Sequence, residues 1–300
     1  GGKLTVDRKD GNIFVSGAAT SISFSESDGF MHSWISGEQE MIKSPLVPNF
    51  WRPLTDNDIP NGHLERCGVW RTAPDSLRLV KFACDETESG AVRVRASYKI
   101  RHLDVTVDLE YKVASDNSVK VDMRFVPGCR PLPELPRLGM TMALQGGYDN
   151  MKWYGRGPHE SYPDRKSSAL IGLYESKVWE QYHPYVRAQE SGNHCDVRHM
   201  SLVDNSGCGI SVAAEIPFNA GAFKFPMADL EYVPAMIERR HGGSIAEKDI
   251  VTLNIDHLMM GVGGDNTWGA RVHPEYSIMP LERSFSFVLR PVISDSHVTK

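Results

Sequence analysis

Apolar side chains recur at every second position along much of the chain, and the regularity is strongest in the first half. Val92, Val94, Ala96, Tyr98 and Ile100 alternate with Arg93, Arg95, Ser97, Lys99 and Arg101. Val105, Val107, Leu109, Tyr111 and Val113 then alternate with Thr106, Asp108, Glu110 and Lys112. A period of two is that of a strand with one buried face. The apolar parity flips between Ile100 and Leu103, which predicts a tight turn at Arg101-His102 or a bulge. Val119, Val121, Met123 and Phe125 continue the pattern after Ser115-Asp116-Asn117, so residues 92–125 read as a three-stranded meander with one dry and one charged face. Shorter strands are predicted at 12–16, 20–24, 30–35, 138–144, 201–203, 209–214 and 222–225. Val251, Leu253 and Ile255 alternate with Thr252, Asn254 and Asp256 as a half-buried strand would, and Phe285, Phe287 and Leu289 mark a terminal strand.

Helical spacing is rare. Leu64, Cys67 and Trp70 predict a short helix over 63–73, stopped by Pro74, and Pro226 is placed to start a second over 226–231. Pro45, Pro48 and Pro53 predict extended or looped chain over 43–53. Gly155, Gly157, Pro158 and Pro163 argue against long regular structure around them. No repeat or low-complexity linker divides residues 1–300, which read as a single domain. Many short strands joined by Gly and Pro turns, without βαβ alternation, define an all-β class: one large antiparallel β-sandwich with a few short helices.

Composition narrows the partners. With 300 residues, 41% hydrophobic and 24% charged, the chain has ample core for a globular fold. A net charge of −5 supplies no attraction to nucleic acid or to an anionic membrane. No run is long and apolar enough to span a bilayer. No secretory leader is visible at Gly1-Gly2-Lys3, although a cleaved leader would leave the same start. The five cysteines are odd in number and lack CxxC spacing, so buried free thiols are expected rather than zinc or a disulfide framework. That leans towards a reducing compartment, and bacterial cytoplasm and periplasm both stay open.

Candidate chemistry concentrates in three places. After the strand at 251–255, Gly261, Gly263 and Gly264 lead into Asp265 and Asn266, which shape turns, and then to Trp268 between Thr267 and Gly269. An indole on such a loop is either a plug over the core or a platform for a ligand. Asp56, Asn57 and Asp58 form an Asx-rich turn or a ligand cup, and would hold a hard cation only if other oxygens joined them. Arg156, His159, Glu160, Tyr162, Asp164 and Arg165 fall within ten residues; with Glu190, Asn193 and His194 they could line a groove for sugar hydroxyls. The competing view, favoured for Arg156 and Arg165, is a network of guanidinium–carboxylate clamps. His159 or His194 with Glu160 or Glu190 has the residue types of an acid/base pair. His194 and His199 flank Cys195 at a spacing unsuited to zinc, and the Gly261–Gly264 run lacks the lysine of a phosphate loop.

Four runs share a resemblance. Residues 260–268, MGVGGDNTW, resemble the C-terminal signature of the large bacterial β-galactosidases of glycoside hydrolase family two. Residues 49–58, NFWRPLTDND, are similar to the opening motif of the same region; 153–165, WYGRGPHESYPDR, and 184–195, PYVRAQESGNHC, are similar to its central motif. The resemblance covers nearly the whole chain and matches only the last, small-chain domain, whose topology is the supersandwich shared with galactose mutarotases.

It implies a retaining hydrolysis of terminal β-D-galactosides carried out by an upstream barrel. A retaining pair needs carboxylates roughly 5–5.5 Å apart, and none of Glu160, Asp164, Glu190 or Asp265 corresponds to the family's pair. The excised domain is therefore expected to be inactive. Trp268 falls at the position of an aglycone platform and is expected to be exposed; Asp265, Asn266, His159, Glu160, Glu190 and His194 are weaker substrate-binding candidates. By the same resemblance no cofactor belongs to this domain, the family's Mg and Na ions lie elsewhere, the partners are the barrel and other domains of the same polypeptide, and the intact enzyme is a homo-oligomer. A free-standing carbohydrate-binding module and a mutarotase-like isomerase are the alternatives.

Overall fold

The computed structural model describes residues 3–231 and 241–294. Among them seventeen strands join in one continuous antiparallel sheet that curls into a sandwich. The first arm is a ribbon of β1 (Thr5–Lys9), β2 (Asn12–Ser16), β3 (Thr20–Ser25) and β4 (Met31–Ser36), with the short β5 (Gln39–Glu40) and then β6 (Ile42–Asn49). A helix, α1 (His63–Cys67), precedes a run of long strands: β7 (Arg78–Glu86), β8 (Val92–Ile100), β9 (Val105–Val113) and β10 (Val119–Pro127). The remainder are β11 (Arg137–Gln145), β12 (Asn150–Gly157), β13 (Leu170–Lys177), β14 (His194–Val203), β15 (Gly209–Phe223), β16 (Ile250–Met259) and β17 (Arg283–Val292).

Strand β15 is the branch point. Along one edge it pairs with β14. Along the other, its first residues pair with β17, Gly209 opposite Val292, and its last pair with β16, Asn219 opposite Asp256. From β17 the sheet continues through β10, β9 and β8 to β7; from β16 it continues through β11 and β6 to the first ribbon. The two arms then close face to face. Phe24 of β3 meets Tyr111 of β9 with ring centroids 5.1 Å apart, and the Tyr98 hydroxyl of β8 donates to the Asp28 carbonyl at 2.7 Å. One apolar cluster fills the space between, with Trp34, Trp70 and Trp153 closed to solvent.

The 92–125 meander forms as the alternation dictates. Its parity flip is absorbed by a four-residue turn in which Asp104 adopts φ 53°, rather than by a bulge. Elsewhere the tertiary context overrides local signals. The two short strands predicted at 209–214 and 222–225 are one fifteen-residue strand, carried past Pro217 because β14 shifts register on its flank. Pro45 and Pro48 lie inside β6; the ladder to β11 shifts register there and pairing with β4 is confined to Met31 and Leu46, which leaves few N–H positions for the prolines to spoil.

Strand β12 runs through Gly155 because the Val197 backbone lies where a side chain would stand, 2.8 Å from an added Cβ. The helix predicted over 63–73 is shorter, α1 giving way to 3-10 turns at Gly68–Trp70 and Pro74–Ser76. The second is a 3-10 turn, Met227–Leu230, with Pro226 just before it. Strand β16 also departs from expectation. Its polar phase, Thr252, Asn254 and Asp256, is as buried as its apolar phase, so both faces are covered; on the polar face Thr252 Oγ1 donates to the Phe225 carbonyl at 2.8 Å and Asp256 pairs with Arg137. All five cysteines are unpaired, but only Cys67 and Cys195 are buried as expected; Cys84 and Cys208 are half-buried and Cys129 is exposed.

Candidate functional site

The chain segments 52–58, 160–165 and 261–263 meet at the root of the loop that carries Trp268. Arg52 is fully buried; it donates through Nη1 to Asp58 Oδ2 at 2.5 Å and through Nη2 to the Gly261 carbonyl at 3.0 Å. Asp58 also accepts the Thr55 N–H at 2.8 Å. Burial alone would raise the Asp58 carboxyl, but the Arg52 guanidinium beside it holds it below the usual carboxylate range. Asn57 Nδ2 donates to the Val262 carbonyl at 2.9 Å. From the other side, Asp164 accepts the Val262 N–H at 3.0 Å and the Gly263 N–H at 2.7 Å. Gly261 is required here, since an added Cβ would lie 2.5 Å from Asp164 Oδ2.

Beyond this root the loop is open to solvent. Asn266 Oδ1 accepts the N–H groups of Trp268 at 2.9 Å and Ala270 at 3.3 Å, an Asx-type turn. Asp265 pairs with His273 at 2.7 Å, and that hydrogen bond raises the imidazole's affinity for its proton. Trp268 itself is 88% exposed. Asp265 and Asn266 thus shape the turn that displays the indole.

The central motif builds a second feature. His159, Glu160, Arg165, Gln181, Tyr182 and Tyr185 line much of a cavity of about 410 Å³. Glu160 is held in one orientation by Arg165, by the Tyr185 hydroxyl and by the Gly192 N–H at 2.7 Å. His159 Nε2 meets Ser168 Oγ at 3.0 Å. The structure therefore brings His159 and Glu160 to one opening.

Glu190 and His194 lie beneath the surface instead. Glu190 is buried against Arg137 Nη2, 3.4 Å from each oxygen, and takes the Tyr162 hydroxyl at 3.3 Å; burial raises its carboxyl. His194 Nδ1 lies 3.1 Å from the Arg156 carbonyl and Nε2 lies 2.5 Å from Gln181 Oε1; a neutral ring has one N–H and donates to only one of these two oxygens. Burial pushes its imidazole down to about 4, so it stays neutral. Arg156 clamps Asp196 at 2.5 Å and the Ala169 carbonyl at 2.8 Å, and Arg165 clamps Glu160.

Two buried residues lay outside the sequence reading of the site. Arg137 bridges Glu190 and Asp256, and Asp256 is pushed up to about 7 by burial. Asp256 stands on the polar phase of a strand, where alternation points to solvent, so no local signal marks it. Among the described residues no His, Cys, Asp and Glu cluster is arranged to hold a metal ion.

The fold defines a class. The structure has the all-β, galactose mutarotase-like fold. It superposes on a GalM/aldose epimerase homologue from C. elegans with a TM-score of 0.51 at 8% identity, covering 98% of this chain and 100% of that one. It likewise superposes on the galactosidase domain of an α-galactosidase–sucrose kinase, with a TM-score of 0.51 at 8% identity over 96% of this chain and 41% of that one.

Within that class the chain belongs to the β-galactosidase small chain family, whose profile matches residues 16–289. It is 31% identical over 298 residues to a β-galactosidase of Priestia megaterium, covering 96% of this chain and 27% of that protein. It is 33% identical over 291 residues to a β-galactosidase of Halalkalibacterium halodurans, covering 96% and 28%. A third relative, β-galactosidase BgaC of Bifidobacterium adolescentis, is 33% identical over 280 residues, covering 92% and 26%. The chain thus spans about a quarter of the length of the curated relatives it matches.

Proposed function

We propose that this chain is the C-terminal part of a glycoside hydrolase family two β-galactosidase that cleaves terminal β-D-galactosides with retention. In this reading the chain completes the active site with Trp268 as an aglycone platform, and the rest of the same polypeptide supplies the catalytic carboxylates, the Mg and Na ions and the contacts of a homo-oligomer. The observation that carries it is a bare indole, 88% exposed, on a loop whose root is gripped by three separate segments. Large exposed aromatics are uncommon unless a ligand or partner surface covers them. The C–H face of a pyranose stacks on an indole, which suits the residue to a sugar outside the galactose pocket.

Trp268→Ala in the full-length polypeptide is expected to lower kcat/KM for lactose-like disaccharides while sparing aryl galactosides, since the carboxylates are untouched. Equal kinetics on both substrates would sink the platform role. This chain alone is expected to leave a chromogenic β-galactoside unhydrolysed; turnover that survives purification and vanishes in Glu160→Gln would place the chemistry here instead.

Sugar binding by this chain itself is a second reading, favoured by the cavity at His159 and Glu160. It has room for a monosaccharide, an oriented carboxylate for vicinal hydroxyls and the Tyr182 and Tyr185 rings for a C–H face. Saturable binding of galactose by NMR titration, lost in Tyr185→Ala, would establish it. Catalysed anomer exchange would extend it to isomerase chemistry, with His159 and Glu160 as the acid/base pair.

A further inference from the structure

Trp268 makes no side-chain hydrogen bond in its loop; Asn266 shapes the turn that displays it, and that turn is carried on the backbone at the loop's root. That root is held from both sides. Arg52 and Asn57 donate to the carbonyls of Gly261 and Val262. Asp164 receives the next two N–H groups, one on each carboxylate oxygen: Val262 on Oδ1 at 3.0 Å and Gly263 on Oδ2 at 2.7 Å. Charge-assisted bonds of this kind are about twice as strong as neutral ones, and a two-point grip on consecutive amides fixes direction as well as position.

Asp164 is itself rigidly presented. It sits in a tight turn closed by the Tyr162 N–H to the Arg165 carbonyl at 3.0 Å and the Arg165 N–H to the Tyr162 carbonyl at 2.8 Å. The Tyr162 ring is buried in a small cluster with Met259 and Val262, which flank the loop's root. Asp164 reaches the root closely because Gly261 and Gly263 carry no side chain; an added Cβ would lie 2.5 Å and 3.1 Å from Asp164 Oδ2.

We infer that Asp164 is the positioning residue of the Trp268 platform, aiming the indole through the Val262 and Gly263 amides without touching the substrate. The inference rests on the platform reading above. An asparagine at 164 keeps the shape but turns an NH₂ group against one of the two N–H donors, so half of the grip becomes donor against donor.

The test labels the chain with 5-fluorotryptophan, which reports all six indoles, and assigns the Trp268 resonance with Trp268→Phe. Asp164→Asn is expected to shift or broaden that resonance while those of Trp34, Trp70 and Trp153 stay in place. It is expected to speed hydrogen exchange at the Val262 and Gly263 amides roughly tenfold, the size of one lost charge-assisted bond. In the full-length polypeptide it should reproduce part of the Trp268→Ala change in the disaccharide-to-aryl ratio of kcat/KM. A purely structural role would lower both substrates together.

The positioning role is overturned if Trp268→Ala changes that ratio and Asp164→Asn does not, or if the Trp268 resonance is unmoved. An unchanged ratio in Trp268→Ala would instead remove the platform reading, while the resonance and exchange data would still judge the grip. Should Asp164→Asn fail to fold, Gly263→Ala disturbs the same grip from the loop side and carries the same expectations.

Discussion

The Trp268 loop and the Arg137 cluster both draw on residues of the sequence motifs or next to them, yet they sit at opposite ends of solvation. Around Trp268 the charged groups, Asp265, His273 and Glu275, are exposed and pair in water. Around Arg137, the carboxylates of Glu190 and Asp256 are closed off and ion-paired to it, and several polar atoms of Arg137, Asp256 and Asn254 make no hydrogen bond. Charged residues in the motifs and beside them thus do two jobs. Those at the loop tip shape a displayed surface at little energetic risk, because water screens them. Those inside hold the sheet's centre together, where removing one partner strands the others.

The sharpest way to break this contrast is Arg137→Ala. It leaves Glu190 and Asp256 buried side by side without their cation and is expected to cost about 3–5 kcal/mol in urea unfolding. A loss below about 1 kcal/mol would mean that water or rearrangement already serves those carboxylates.

The pH dependence should divide the buried groups by sign. His63 and His194 are pushed down to about 4 from an ordinary 6.5 by burial, so the unfolded chain takes up more protons between those values. Their contribution is whole above about 6.5 and is lost as pH falls towards 4. Asp256 works in reverse: with its folded value raised to about 7, the native chain holds the extra proton, and stability from that site is lost as pH climbs from the ordinary carboxyl value of 3.8 to 7. Urea unfolding across pH 4–7 should therefore show a shallower acid loss in His194→Gln. Asp256→Asn should gain more, relative to the parent, at pH 7 than at pH 5. The same slope in all three proteins would refute these assignments.

The smallest effect belongs to the loop. Trp268→Ala should change the stability of this chain by less than about 0.5 kcal/mol, as a surface change does. Trp34→Ala, a truncation in the closed core, should cost about 3–5 kcal/mol. Equal losses would mean that the indole plugs the core edge after all.

The amino-acid order by itself determined the all-β class, the meander of β8 to β10 and the turn that displays Trp268. Each is set by neighbours a few residues apart: alternation for the strands, and Gly, Asp and Asn for the turn. It also carried the family motifs. Only the tertiary structure decided where those motifs meet. The Arg52 bond to Gly261 joins residues 209 apart in the chain, and the Asp164 bond to Gly263 joins residues 99 apart. Long-range pairing of this sort leaves no period or spacing to read.

The same holds for burial. Asp256 alternates as a solvent-facing residue should, and Glu190 and His194 sit among polar neighbours, yet all three are closed off because the sheet folds over them. A residue's local pattern states which side of its strand it occupies. Whether water reaches that side depends on what the rest of the chain packs against it.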